Sequence, residues 1–460
     1  MEQNRRKNAH PSDSESNENN QPRNVEENAA SRDEDDQDAI VSGNRRFIHE
    51  DSSHPNWPKH KKHMFIVSIA GKPIYSRYGD EQNLATFMAS LVALVTYIQD
   101  MKDEMRYITA GKHKFVFVVK GPLVLVSVAK TMEPVAPIVQ QLNYMHAQII
   151  SLLTSGVNQI FDRRAHYDLR ALLGGADKFM DNLISWMDHS FSFLLNSIHC
   201  LRLDSPTRTN IANIMQSVQH NELLYAILVA GYQLVTLIRP KRWALHPSDL
   251  HLIMNFVHAS STFKSSESWT PLCLPKFNDT GFLHAYVCFL ETNVCLLLLS
   301  TKQDASVFHQ LSNCKEQIHT GLVKTGALDL VVKEMQNPDY SVGELGIPSL
   351  LHFIYKSNVT CQCTAPRMEA PYSSIKEKKR LFRLYQRIYK RVHSFKKLHK
   401  VYYQVSQLET IVAWVTSGFE LYAVFGPLES KSVCIKACNE ILKWIKDEET
   451  SLFILNSPVW

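Results

Sequence analysis

The nine cysteines and twenty histidines of this 460-residue chain are the first residues whose chemistry needs testing. Cys361-Gln362-Cys363 has the closeness of half a zinc site, but the only other close pair, Cys434 and Cys438, sits at helical spacing. Structural zinc sites bring paired ligands in recognisable spacing, so no metal is expected. His246, His251 and His258 fall on one expected helix, yet without the i, i+4 separation that makes a ligand pair. Gly71-Lys72 and Gly111-Lys112 stand outside any G-x-x-x-x-G-K-[ST] pattern and read as turns. G-x-S-x-G, H-E-x-x-H and a local cysteine-protease signature are all missing from the sequence. The adjacent carboxylates Asp447-Glu448 read as a solvated helix end. These residues point to a protein that binds partners, with no cofactor expected.

Charge is distributed more informatively. Residues 1–58 hold 13 acidic and 7 basic residues, net −6, against +5 for the whole chain, so the remainder carries +11 by subtraction. A basic body favours anionic partners: lipid, an acidic protein face or nucleic acid. Lys376 to Lys400 concentrates 11 Lys or Arg against the single carboxylate Glu377. With Leu381, Leu384, Ile388 and Val392 as a buried helical stripe, Arg380, Arg383, Arg387, Lys390 and Arg391 are expected to project outward. That face is either solvated or a docking surface for anionic membrane. Nucleic acid fits less well, because no recognisable nucleic-acid module is present.

These residues must be positioned by folded elements, and the elements repeat. Met64–Ile69 and Ile74–Tyr78 read as a hairpin across Ala70-Gly71-Lys72-Pro73. Asp80 suits a helix N-cap ahead of Leu84, Phe87, Met88, Leu91, Val92, Val95 and Ile98. Strands at Lys114–Lys120 and Leu123–Ala129 and a helix near Pro137 follow. The order recurs with strands at Tyr225–Ala230 and Gln233–Ile238, a helix from Pro247, strands at Phe282–Leu290 and Val294–Ser300, and a helix from Val307. A third copy has strands at Leu350–Lys356 and Val359–Cys363, the basic helix, strands at Thr410–Thr416 and Phe419–Phe425, and a helix over Ser430–Lys446. Phe179–Leu203 reads as an extra helix of the first copy. Self-similarity of this kind constrains a whole architecture. The expected fold is α/β: an acidic disordered tail (1–58), then three tandem domains (59–210, 218–340, 346–460), each ordered strand-strand-helix-strand-strand-helix.

The cysteines are scattered inside apolar runs, no signal-like core opens the chain, and no run is long enough to span a bilayer. A cytosolic protein is expected, with any membrane contact peripheral.

KHMFIVSIAGKPIYSRYGDEQNLATFMASLVALV with FVFVVKGPLVLVSVA resembles the first domain of the SAND/Mon family of vacuolar and endosomal fusion proteins. LHPSDLHLIMNFV, the stretch Trp269–Asn278 and AWVTSGFELYAVFGPL extend the resemblance from about residue 60 to the end. The resemblance implies three longin domains, each an antiparallel sheet flanked by helices. It implies pairing with a Ccz-type tri-longin subunit and, in animals, a third scaffold subunit. It further implies guanine nucleotide exchange on the late-endosomal Rab GTPase, with recruitment by the early-endosomal Rab and phosphatidylinositol 3-phosphate. The alternative is a longin-based adaptor or tether that binds Rab or lipid without exchange. On that basis the Rab-facing candidates are Lys72, Tyr75, Arg77, Tyr78 and Asp80. Trp269 is a candidate anchor for the recruiting Rab, and Arg239, Lys241 and Arg242 add charge for lipid or partner.

Overall fold

The computed structural model describes Phe47 and residues 50–164, 166–218, 221–260, 262–336, 339–394 and 401–460. Most of the acidic tail, and Lys396, Lys397 and Lys400 of the basic run, lie outside the described residues.

In the first module, strands β1 (Lys62–Ser68) and β2 (Pro73–Ser76) precede helix α1 (Ala85–Asp100). Strands β3 (Tyr107–Ala110), β4 (His113–Lys120) and β5 (Leu123–Ala129) and helix α2 (Val135–Leu153) follow. The sheet order is β2-β1-β5-β4-β3, with every neighbouring pair antiparallel. All seven residues of β1 are buried because the sheet is covered on both faces. Alternation sorts them: Phe65 and Val67 face α1, while Met64 and Ile66 face the opposite core.

An extension follows α2. Helices α3 (Asp177–Met187) and α4 (Phe191–Leu195), the two-residue strand β6 (Ile198–His199) and helix α5 (Ser205–Ser217) replace the single extra helix expected from Phe179. Asn196, left-handed at φ 47°, ends α4 and turns the chain into β6.

The second module repeats the plan with β7 (Leu223–Ala230), β8 (Gln233–Ile238), α6 (Pro247–Ala259), β9 (Ser268–Leu274), β10 (Asn278–Glu291) and β11 (Val294–Ser300). It closes with α7 (Ala305–Lys324) and α8 (Ala327–Gln336). The third has β12 (Leu350–Ser357), β13 (Gln362–Thr364), α9 (Ile375–His393), β14 (Val401–Val405), β15 (Thr410–Val415), β16 (Phe419–Phe425) and α10 (Lys431–Asp447). Each module thus holds a fifth strand (β3, β9 or β14) at one edge of its sheet, one more than the repeat of four strands per copy suggests. The strand expected from Val359 begins later, because Val359 is exposed and Cys361 turns with φ 54°.

Sheets one and two share one core. Ile138, Leu142 and Met145 of α2, Leu183 of α3 and Ile253 of α6 join Met64 and Leu125 to Tyr225, Ile227 and Leu297. Helices α5, α7 and α8 cover the far face of sheet two. Sheet three lies between α9 with α4 on one face and α10 on the other. Strand β6 adds to the edge of sheet three, parallel to β13, and Cys200 bridges Leu234 of sheet two. The C-terminal residues return to the second module: Trp460 donates its backbone N–H to Arg239 O (3.1 Å) and its indole N–H to Leu224 O (3.0 Å).

Domain limits shift accordingly. Helix α5 packs Ile211 and Met215 into the second module's core, so the first module's contribution ends before Ser205. The tail ends earlier than residue 58: Trp57 is buried, Glu50 meets His60 at 2.7 Å, and His60 stacks on Tyr78 with centroids 3.8 Å apart. Helix α1 starts at Ala85, and Asp80 instead receives the Gln82 N–H at 2.7 Å in the preceding turn.

Gly79 makes that packing possible. Its φ is +79°, and a Cβ there would stand 2.2 Å from Glu50 O and 3.1 Å from Trp57. Gly79→Ala is therefore expected to displace residues 50–58, adding steric repulsion to the roughly 1–2 kcal/mol cost of a left-handed Cβ. A lowered first transition in differential scanning calorimetry tests this; an unchanged melt refutes it.

Burial holds five imidazoles neutral: His63 and His251 down to about 3, and His146, His258 and His352 down to about 4. The unfolded chain protonates them near 6.5, so it takes up more protons than the folded chain below that pH. Stability is expected to fall as pH drops from about 6.5 towards 4. His251→Gln should make that fall shallower in denaturant titrations at stepped pH.

Candidate partner-binding face

Helix α1 is apolar on both sides. Its inner stripe, Leu84, Met88, Leu91, Val92 and Val95, is buried on the sheet. Its outer stripe leaves Leu94 46%, Tyr97 61% and, one residue past the helix, Met101 58% exposed. Thr86, Ala89, Ser90 and Ala93 continue that surface, and Asp100 is the helix's first charge. Small side chains beside exposed large ones leave room for another chain's backbone to approach closely. A contiguous apolar surface of this kind marks an interaction site. The β1–β2 turn flanks it: a Cβ at Gly71 would sit 3.8 Å from that of Ala89, and Ile69 is also exposed.

The equivalent helix of the second module, α6, is buried along ten of its thirteen residues against α2 and α3. Asn255 of α6 donates to Gln148 Oε1 (2.7 Å) and Phe179 O (2.9 Å), and His251 meets Tyr144 Oη at 2.9 Å. Helix α9 has a charged outer side. Among the described residues, α1 is the leading helix whose apolar outer side stays uncovered.

Three of the five hairpin candidates, Tyr75, Arg77 and Tyr78, are turned into the protein. Tyr75 is buried and its hydroxyl donates to Asp181. Arg77 contacts Asp188 Oδ2 at 3.3 Å, inside a network in which Lys62 Nζ reaches Asp188 (2.5 Å), Glu133 (3.1 Å) and Gln141 (3.1 Å). Burial opposes the Lys62 charge, but Asp188 and Glu133 outweigh it and hold the ammonium above its usual range. Tyr78 lies under His60, and Asp80 serves its turn. Tyr75 and Arg77 thus fasten the hairpin to α3 and to Asp188, which ends that helix. Lys72 alone is exposed.

Trp269 lies on edge strand β9, half-buried, stacked on His284 with centroids 5.6 Å apart and packed against Phe308. Its indole N–H has no partner. Arg239 bends back on the carbonyls of Pro240 and Lys241, both at 3.3 Å. Lys241 and Arg242 are exposed beside Trp243, itself 51% exposed. On α9 the expected stripe Leu381, Leu384, Ile388 and Val392 is buried. Arg380 does not project outward, because Glu377 (2.6 Å) and Glu409 (2.5 Å) hold it over the Tyr372 ring. Arg383 is half-buried, Arg391 sits over Tyr402, and Arg387 and Lys390 are exposed.

Among the described residues no His, Cys, Asp and Glu cluster could hold a metal, and no helix is long and apolar enough to cross a membrane. Burial pushes the Cys200 thiol up to about 11 and those of Cys273, Cys363 and Cys438 to about 12, the opposite of activated nucleophiles.

The chain matches family models described as the first, second and third longin domains of FUZ, MON1 and HPS1, over residues 62–183, 221–320 and 349–449. This is a tri-longin protein. Its sequence is 43% identical to "Vacuolar fusion protein MON1 homolog A" of Gallus gallus, over 92% of this chain and 77% of the relative. It is 41% identical to "Protein SAND" of Takifugu rubripes (90% and 80%) and 36% identical to "Vacuolar fusion protein MON1 homolog" of Arabidopsis thaliana (89% and 72%). The chain belongs to the MON1/SAND family.

The apolar outer stripe of α1 was not among the sequence candidates. One signal was available: no charged residue between Asp80-Glu81 and Asp100, where a surface helix normally carries several.

Proposed function

We propose that this chain acts in vacuolar or endosomal fusion traffic as one subunit of a heteromeric guanine nucleotide exchange factor for the late-endosomal Rab GTPase. The uncovered, uncharged face of α1 carries the reading. A helix burying both stripes requires a second chain, and a Ccz-type tri-longin subunit presenting a like helix suits it. An exchange factor needs differential affinity for the nucleotide-free GTPase, not a nucleophile, in keeping with thiols pushed upward by burial. The early-endosomal Rab, phosphatidylinositol 3-phosphate and a third scaffold subunit belong to the same reading as recruiting partners, with half-buried Trp269 on edge strand β9 the candidate contact for the recruiting Rab.

Release of a fluorescent GDP analogue from the late-endosomal Rab tests it. The chain alone should be nearly inert, and the two-subunit complex should accelerate release. Leu94→Asp with Tyr97→Asp should abolish co-purification and acceleration while leaving the melt unchanged, since loss of one interface aromatic anchor costs about 2 kcal/mol or more. Co-purification of that variant overturns the docking face. A complex that forms but leaves release unchanged makes the protein an adaptor instead.

In the same reading, Lys241, Arg242, Arg387 and Arg391, exposed and without an ion pair among the described residues, serve membrane recruitment. Lys241→Glu with Arg242→Glu, and separately Arg387→Glu with Arg391→Glu, should each weaken flotation with phosphatidylserine liposomes, at about 1 kcal/mol per lost basic contact. Arg380→Ala should not weaken it, because Glu377 and Glu409 already hold that guanidinium.

A further inference from the structure

Each sheet has its fifth strand at one edge, and the three edges are not alike. Strand β3 stops after four residues and β9 carries Pro271, both ordinary ways of blunting an edge. Strand β14 (Val-Tyr-Tyr-Gln-Val) has neither charge nor proline, and among the described residues it pairs with β15 alone. Ser406 donates its N–H to Glu409 O (2.9 Å), which sets the hydrogen-bond phase of the β14–β15 hairpin. Hydrogen-bonded and open pairs alternate in such a hairpin. Tyr402 and Gln404 therefore turn their backbone groups to β15, and Val401, Tyr403 and Val405 turn theirs to the free edge.

Side chains sort the same strand by face. Val401, Tyr403 and Val405 lie on the α10 side, where Lys431 sits over the Tyr403 ring at 5.9 Å. Tyr402 lies on the α9 side, where Arg391 sits over its ring at 5.3 Å. Both cations are exposed, and neither forms an ion pair among the described residues, although Glu429 is two residues from Lys431. Val401 and Val405 are exposed, as are Leu408 in the hairpin turn, Leu428 (97%) before α10 and Ile435 one turn along α10 from Lys431. Thr410 donates its hydroxyl to Pro427 O (3.4 Å), which holds the Leu428 loop beside the turn. The free edge is thus apolar, with one unpaired cation on each face.

An open edge supplies main-chain bonds to any added strand, and the side chains beside it choose which. A second copy of this chain fits poorly. Two β14 strands paired antiparallel about Tyr403 would bring the two Lys431 ammoniums towards each other on one face, and like charges facing across a pair destabilise it. We propose that the β14 edge takes an extended acidic segment of a partner protein as a further strand of sheet three. Its apolar side chains would lie over Val401 and Val405, with a carboxylate beside Lys431 and others on the opposite face within reach of Arg391. The site is on the third module, apart from the α1 face. Peptide binding, not nucleotide release, is the readout, so it stands or falls without the exchange reading.

Fluorescence anisotropy of the full chain with the labelled heptapeptide Glu-Val-Glu-Glu-Glu-Val-Glu tests the proposal. Opposite β14 this probe puts its valines and central Glu on the α10 side and its other carboxylates on the α9 side. Binding should weaken as salt rises, and Lys431→Glu should weaken it about tenfold, as loss of one charge-assisted contact does. Val405→Pro removes an outward N–H without breaking a bond to β15, so it should abolish binding with an unchanged melt. The same heptapeptide methylated at every backbone nitrogen should fail on the unaltered chain, a check independent of how that variant folds. Val405→Pro should still float with phosphatidylserine liposomes; lost flotation assigns the edge to lipid and overturns the proposal. A self-associated chain dispersed by Val405→Pro in sedimentation gives the edge to a second copy. Peptide binding that appears only after joint Asp33→Asn, Glu34→Gln, Asp35→Asn and Asp36→Asn gives it to this chain's own acidic tail. Either result overturns the proposal, as does no binding, or equal binding of Lys-Val-Lys-Lys-Lys-Val-Lys.

Discussion

The arrangement of the first two modules depends on the double burial of one helix. Helix α2 packs Ile138, Leu142, Met145 and Ile149 into a core continuous from sheet one to sheet two, while Tyr144 and Gln148 bond to His251 and Asn255 of α6. A helix with two apolar faces is stable only when both are covered, and here two sheets do it. The polar pairs add direction: burying an amide or imidazole without its partner costs about 1–3 kcal/mol, so the register of α2 against α6 is fixed as well as its burial.

That packing decides what is left outside. Sheet one uses its second helix to meet its neighbour, and sheet two uses its first. The first helix of module one is thereby turned outward and the first helix of module two inward, although both descend from the same repeat. If the outward helix had the usual charged outer side, the matter would end there. Instead α1 carries Leu94 and Tyr97 among alanines and serines, a composition like that of α6, whose outer side is covered. Composition suited to burial at a position the described residues leave open is the physical content of the argument for a partner.

The repeat, the buried stripes of α1, α6 and α9 and the antiparallel sheets were legible because each rests on local periodicity. Non-local pairings were not. Tyr75 and Arg77 look like surface residues in a short polar strand until Asp181 and Asp188 arrive from more than 100 positions later. Strand β6 has two residues and no pattern of its own, being defined by its neighbours β13 and Leu234. Strand β3 is four mostly exposed residues, too short and too wet to alternate visibly. The exposure of Lys72 follows from its turn alone, since a turn lysine needs no tertiary information.

Charge shows the same division between count and commitment. The basic excess in the sequence suggests a broadly cationic body, yet many of its cations are consumed internally. Arg208 is spent on the carbonyls of Leu201, Val235 and Ser451, Arg202 on Glu344 and Glu448, and Arg380 on Glu377 and Glu409. Arg202 and Arg208 lace the modules together: Arg208 by itself touches the connector after β6, sheet two and the C-terminal segment. Lys241 and Arg242 in the β8–α6 loop, and Arg387, Lys390 and Arg391 on the outer side of α9, are exposed and make no ion pair among the described residues. Screening at physiological salt acts over about 8 Å, so what an anion meets is set by which nearby cations stay exposed and unpaired, not by the net charge of the sequence.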